Sequence, residues 1–107
     1  MWCVNYSLQM VEIVKSATFD KWLRKLRDPR AKALVEMRIR RLGLGYAGDV
    51  KPIGEGLSEM RIDHGPGYRV YYMRQGDIFI LLLCGGDKNT QQKDIAKAKR
   101  IAAEWMR

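Results

Sequence analysis

At 107 residues the chain is long enough for one domain with a single core and too short for two. Its formal charge of +8 and pI of about 9.8 point to a polyanionic partner, nucleic acid or an acidic protein segment. The longest apolar run, Ile78–Cys84, has seven residues, too few to cross a membrane, and no signal peptide is recognisable.

The positive charge is unevenly placed. Residues 18–41 hold nine Lys/Arg against three acids and residues 88–107 hold six against two, whereas 42–87 hold four against six. The excess therefore lies on two regions that read as helical. Cys3 and Cys84, the only cysteines, suggest neither a disulfide framework nor a metal site, which fits a reduced cytoplasm.

Met1–Gln9 shows no periodicity and reads as an extension ahead of a domain spanning 10–107. Val11, Ile13 and Val14 predict a short first strand. Thr18 is a good N-cap for a helix whose Phe19, Trp22, Leu23 and Leu26 form one apolar stripe. Asp28-Pro29 then opens a second helix, with Asp28 as cap and Pro29 at the first helical position. There Ala31, Leu34, Val35, Ile39 and Leu42 are inward, Arg38 and Arg41 outward, and Gly43 terminates.

Residues 43–56 hold five glycines and one proline and read as an irregular loop. The glycines at 43, 45 and 48 spell G-x-G-x-x-G, but they follow a helix, so this is not a dinucleotide fingerprint. Strands at about 57–63, 67–74 and 77–84 suggest an antiparallel meander. Thr90 then caps a last helix with Ile95, Ala98, Ile101, Ala102 and Trp105 inward, and Lys97 and Arg100 off the stripe.

Strand alternation places the arginines. Met60 and Ile62 share one side, opposite Glu59, Arg61 and Asp63; Tyr68, Val70 and Tyr72 share one side, opposite Arg69 and Tyr71. If both apolar sides meet one core, Arg61 lies beside Arg69 and Glu59 near Tyr71. Two adjacent guanidinium groups repel unless an anion or a nearby carboxylate intervenes. Ile78–Leu83 is apolar on both sides, as in a strand covered on both faces, and Tyr72 is the core member of the Tyr71-Tyr72 pair.

RNA cleavage without a metal needs a base for the 2′-hydroxyl, cations for the phosphorane and an acid for the leaving oxygen. Arg61 and Arg69 suit the cationic role, because a guanidinium binds phosphate bidentately and stays charged. Two roles are open to Tyr71: stacking on a base or aiding proton transfer. Lys88, after Gly85-Gly86, and Lys51 in the long loop can present ammonium groups. His64 is either a general base or a turn residue before Gly-Pro-Gly. Equally, Arg61 on a solvated face has only to pair with Glu59 or Asp63.

Three segments carry a family resemblance: Leu-Ser-Glu-Met-Arg-Ile (57–62), Gly-Pro-Gly-Tyr-Arg-Val-Tyr-Tyr (65–72) and Leu-Leu-Cys-Gly-Gly-Asp-Lys-Asn-Thr-Gln (82–91). Together they resemble RelE/ParE-superfamily toxins of bacterial toxin–antitoxin modules, nearest the HigB-like, phage-Gp49-related addiction-module killer branch. The resemblance covers about Met10 to Trp105. It implies an α+β fold: a helical hairpin on a small twisted antiparallel sheet, with a C-terminal helix. It also implies phosphate-contacting roles for Arg61, Arg69 and Lys88, no cofactor and no metal.

The implied activity is ribosome-dependent mRNA cleavage by a metal-independent endoribonuclease. Implied partners are the ribosome, mRNA and a cognate antitoxin, a helix-turn-helix protein. Arg38, Arg41, Lys97 and Arg100, with Lys51 and His64, are the candidate RNA or ribosome contacts. Two other readings stand beside it: a gyrase-poisoning toxin of the same superfamily, or a basic nucleic-acid-binding regulatory domain with no catalysis.

Overall fold

The structure, a computed structural model, describes residues 11–106; the expected extension Met1–Gln9 lies outside them. Strand β1 (Glu12–Lys15) leads into helices α1 (Ala17–Lys25) and α2 (Pro29–Gly43). Strands β2 (Val50–Gly54), β3 (Leu57–Ile62), β4 (Tyr68–Gln75) and β5 (Phe79–Asp87) follow. A 3-10 turn (Lys88–Thr90) then enters helix α3 (Gln91–Trp105). The fold is α+β, as expected, but the sheet is mixed. Its order is β1-β5-β4-β3-β2, and β1 runs parallel to β5 beside an antiparallel β2–β5 meander.

Local chemistry explains the helix starts. Ser16, not Thr18, caps α1: its hydroxyl accepts from Phe19 N at 3.0 Å and donates to the Leu83 carbonyl at 2.6 Å, tying the helix to β5. Asp28 caps α2 through the backbone N–H groups of Arg30 and Ala31, with Pro29 at the first position as expected. Gly43 is a buried member of the last turn of α2, and Leu44 is its C-cap.

Two layers of helix sandwich the sheet. On one face Phe19, Leu23, Val35, Ile39 and Leu42 pack against Met60, Ile62, Val70, Tyr72, Ile80 and Leu82. On the other, Ala98 and Ala102 of α3 pack against Leu57, Tyr71, Met73, Leu81, Leu83 and Cys84. Both tyrosines of the 71–72 pair are therefore buried, because each faces a core of its own. Trp105, expected in the stripe of α3, is 48% exposed and rests only tilted against Phe79. It is the last residue of α3 and meets the sheet only at Phe79, the first residue of β5.

The glycine-rich segment is not all loop. Val50–Gly54 forms the edge strand β2 against β3, with a register shift between Pro52 and Gly54. A proline is tolerated there because an edge strand can leave one side of its ladder unmade.

A β-bulge shapes the end of β5. Tyr71 faces Cys84 while Tyr72 faces Leu82, so Leu83 is the extra residue, and Leu83 and Cys84 join the same core. Beyond it β5 continues through both glycines, one to each face. A Cβ on Gly85 would overlap the Trp22 ring, and one on Gly86 would overlap the Asp94 carboxylate and crowd the Thr90 hydroxyl. Gly85→Ala is accordingly expected to cost about 1–3 kcal/mol, as overpacking does. A fall in denaturation midpoint at unchanged denaturant slope checks this.

Candidate functional site

The register of β3 and β4 brings Arg61 directly opposite Arg69 and Glu59 opposite Tyr71, as the alternation predicts. Arg61, Arg69 and Lys88 line one groove of about 390 Å³, whose remaining walls are Ile62, Asp63, Gly65, Pro66 and Gly67. The β3–β4 turn forms one rim and the 3-10 turn after β5 the other. Gly67 sits between them at φ +84°, where a Cβ would meet Arg69 Nη1 at 3.3 Å and Lys88 Cβ at 3.5 Å. A side chain there would be strained by the positive φ and would crowd the Arg69 guanidinium.

Beneath the groove lies a residue that strand parity alone left on a solvated face. Glu59 is fully buried, because α3 covers this end of the sheet. Its Oε1 accepts from Arg61 Nε at 3.0 Å and stands 3.8 Å from Arg69 Nε; its Oε2 accepts from Gln91 Nε2 at 2.7 Å and Tyr71 Oη at 3.1 Å. Burial pushes the carboxyl upward, but the hydrogen bonds from Gln91, Arg61 and Tyr71 outweigh it and hold Glu59 below its ordinary value of 4.5. Gln91, the first residue of α3, is the contributor that the sequence does not single out.

Because the folded carboxyl is the stronger acid, ionised Glu59 favours the folded state. That contribution is present above the ordinary glutamate value and is lost as pH falls through the lower folded one. The stability gap between wild type and Glu59→Gln should therefore narrow as pH falls from neutrality to below the ordinary glutamate value of 4.5, measured by urea unfolding. A gap that widens on acidification would contradict an ionised Glu59.

The remaining sequence candidates do not join the groove. Tyr71 shares the face of Arg69 but is wholly buried, which excludes stacking on a base; burial and the neighbouring Glu59 carboxylate raise its pKa, which removes it from proton transfer. Its hydroxyl is a structural donor. Arg38, expected to face outward, donates to the carbonyls of Arg61 (2.7 Å), Ala47 (3.2 Å) and Asp49 (3.3 Å), bracing the segment before β2. Its guanidinium is occupied by backbone.

His64 binds Asp28 Oδ2 at 2.9 Å and stacks on Tyr68, clasping the β3–β4 turn to the start of α2; this bond lowers the Asp28 pKa. Lys51 lies on β2 opposite Glu59, exposed but outside the groove lining. Arg41 and Arg100 are exposed on α2 and α3, with Lys97 half-buried, and none of the three lines the groove.

A helical hairpin and a C-terminal helix enclosing a small five-stranded sheet make up a RelE-like fold. The toxin–antitoxin complex RelBE2 of Mycobacterium tuberculosis contains such a chain, superposing with a TM-score of 0.58 at 23% identity over 74% of this chain and 99% of that one. The model of the phage-derived Gp49-like family matches residues 21–107, and the chain belongs to that family. An uncharacterised protein of Haemophilus influenzae is 51% identical over 94 residues, 88% of this chain and 95% of its own. The resemblance to the phage-Gp49-related branch, and the RelE-like fold it implied, are thus borne out. Among the described residues no helix is long and apolar enough to cross a membrane.

Proposed function

We propose that the chain is the toxin of a type II toxin–antitoxin pair and blocks translation by cutting mRNA in the ribosomal A site. The observation that carries this reading is the convergence of Arg61, Arg69 and Lys88 on one groove. Family membership and a fold shared with a chain of a toxin–antitoxin complex support it.

In the proposed reaction a ribose 2′-oxygen attacks the adjacent phosphorus, and the 5′-oxygen leaves. The two guanidinium groups bind the equatorial oxygens as negative charge builds there, and Lys88 adds a mobile point charge at the rim. Exposed Arg41 and Arg100 are available to ribosomal RNA phosphates. An antitoxin carrying an acidic segment complements the same basic faces.

The test is to map the 5′ ends of cellular mRNA after induction of the toxin without its partner. The expected result is new ends within codons, in frame, on translated messages. Intact messages together with accumulating topoisomerase-linked DNA breaks would overturn the nuclease reading in favour of gyrase poisoning.

A further inference from the structure

We infer that Glu59, with Gln91 and Tyr71 behind it, is a positioning residue that aims Arg61 and Arg69 into the groove. The inference deepens the proposed phosphate-binding role and rests on it. Two guanidinium groups placed directly opposite on adjacent strands repel, and left alone they would swing apart toward solvent. The Glu59 carboxylate prevents this from within the sheet.

Its two oxygens have separate duties. Oε1 faces the arginines, taking a hydrogen bond from Arg61 Nε and attracting Arg69 by charge at 3.8 Å. Oε2 faces the holders, Gln91 from α3 and Tyr71 from β4. The carboxylate is thus fixed from two other elements, and its own side chain is fully buried.

The geometry also fixes which nitrogens remain for a ligand. Arg61 uses its inner Nε on Glu59, and among the described residues its terminal nitrogens have no hydrogen-bond partner. Arg69 anchors Nη1 on the carbonyls of Gly67 and Tyr68, which locks its plane along the turn. A guanidinium held by its inner edge presents its outer edge, the arrangement bidentate phosphate contact requires. A single charge of −1 between two of +1 leaves the set net positive, so it still attracts a phosphodiester.

The experiment compares wild type, Glu59→Gln and Gln91→Leu, each with nitrogen-labelled arginine. Two readouts are taken: exchange of the Arg61 Nε proton by NMR, and single-turnover mRNA cleavage on ribosomes. In wild type the Nε proton should be protected. In Glu59→Gln, folded by circular dichroism, protection should fall clearly, because a neutral amide oxygen accepts more weakly than a carboxylate, and the maximal cleavage rate should fall about 100-fold with half-saturation little changed. Arg61→Ala should cost much less in the Glu59→Gln background than in wild type, since the two residues act as a unit.

Gln91→Leu keeps the charge but removes one holder, so it should give intermediate losses in both readouts. It also decides the matter if Glu59→Gln fails to fold. Unchanged Nε protection in these variants, or losses for Arg61 and Glu59 that simply add, would overturn the positioning role. Wild-type protein that cuts no message would defeat the nuclease reading instead, and the exchange measurement would still decide what Glu59 does.

Discussion

Arg69→Ala is expected to abolish growth arrest while the protein stays folded. The first half follows from the groove: a phosphate contact made at the transition state is worth about 10²–10³ in rate when one donor is lost. The second half follows from the interior. The Arg69 side chain is only 13% exposed, yet its Nε is a buried donor without a hydrogen-bond partner among the described residues. Truncation therefore removes an unsatisfied group and leaves Glu59 with three donors, Arg61, Tyr71 and Gln91. Arg69→Lys should restore part of the activity, because an ammonium keeps the charge but lacks the planar fork. Undiminished growth arrest in Arg69→Ala and Arg61→Ala alike, at equal expression, would sink the arginine-pair site.

The pairing of those arginines was legible because both strands alternate cleanly and the turn between them is short. Strand parity then puts Met60 and Ile62 on the face of Val70 and Tyr72, and the short turn between Ile62 and Tyr68 selects the register among those that parity allows. The start of α2 was equally legible, since Asp28-Pro29 acts through its nearest neighbours. What could not be read depends on distant partners. Ser16 and Thr18 are both competent caps; Leu83, 67 residues away, makes Ser16 the useful one. The parallel partner of β1 likewise lies at the far end of the chain, in β5.

The face carrying Glu59, Arg61 and Arg69 reads as solvated by its composition, and only the covering helix α3 makes it an interior ion network. The same cover turns Tyr71 from an apparent surface aromatic into a buried donor. Gly85 and Gly86 read as a strand end, whereas β5 runs on through them because Trp22 and Asp94 occupy the space of their missing side chains. Trp105 fails in the opposite direction: its helical spacing is right, but it meets the sheet only at Phe79, the first residue of β5, and stays half-exposed.

Purified protein should leave naked mRNA almost intact and cut it rapidly only on translating ribosomes, within the A-site codon. The reason lies in what the groove contains. Arg61, Arg69 and Lys88 supply charge stabilisation, but a cation is a poor general base, and Tyr71 is buried with a raised pKa. His64, the sole histidine, is bound to Asp28 and lies outside the groove lining. Weak acid–base chemistry leaves orientation as the main source of acceleration, and a groove of about 390 Å³ grips too little of a flexible strand to impose it. A ribosome that holds the message in a fixed bend can contribute up to about 7–11 kcal/mol in favourable cases of pre-set orientation. The measurement is the ratio of cleavage rates on A-site-programmed ribosomes and on the same message free in solution, at equal toxin concentration. Equal rates would mean that the chain carries an unrecognised base of its own, for which Asp63 at the groove wall is the first residue to substitute.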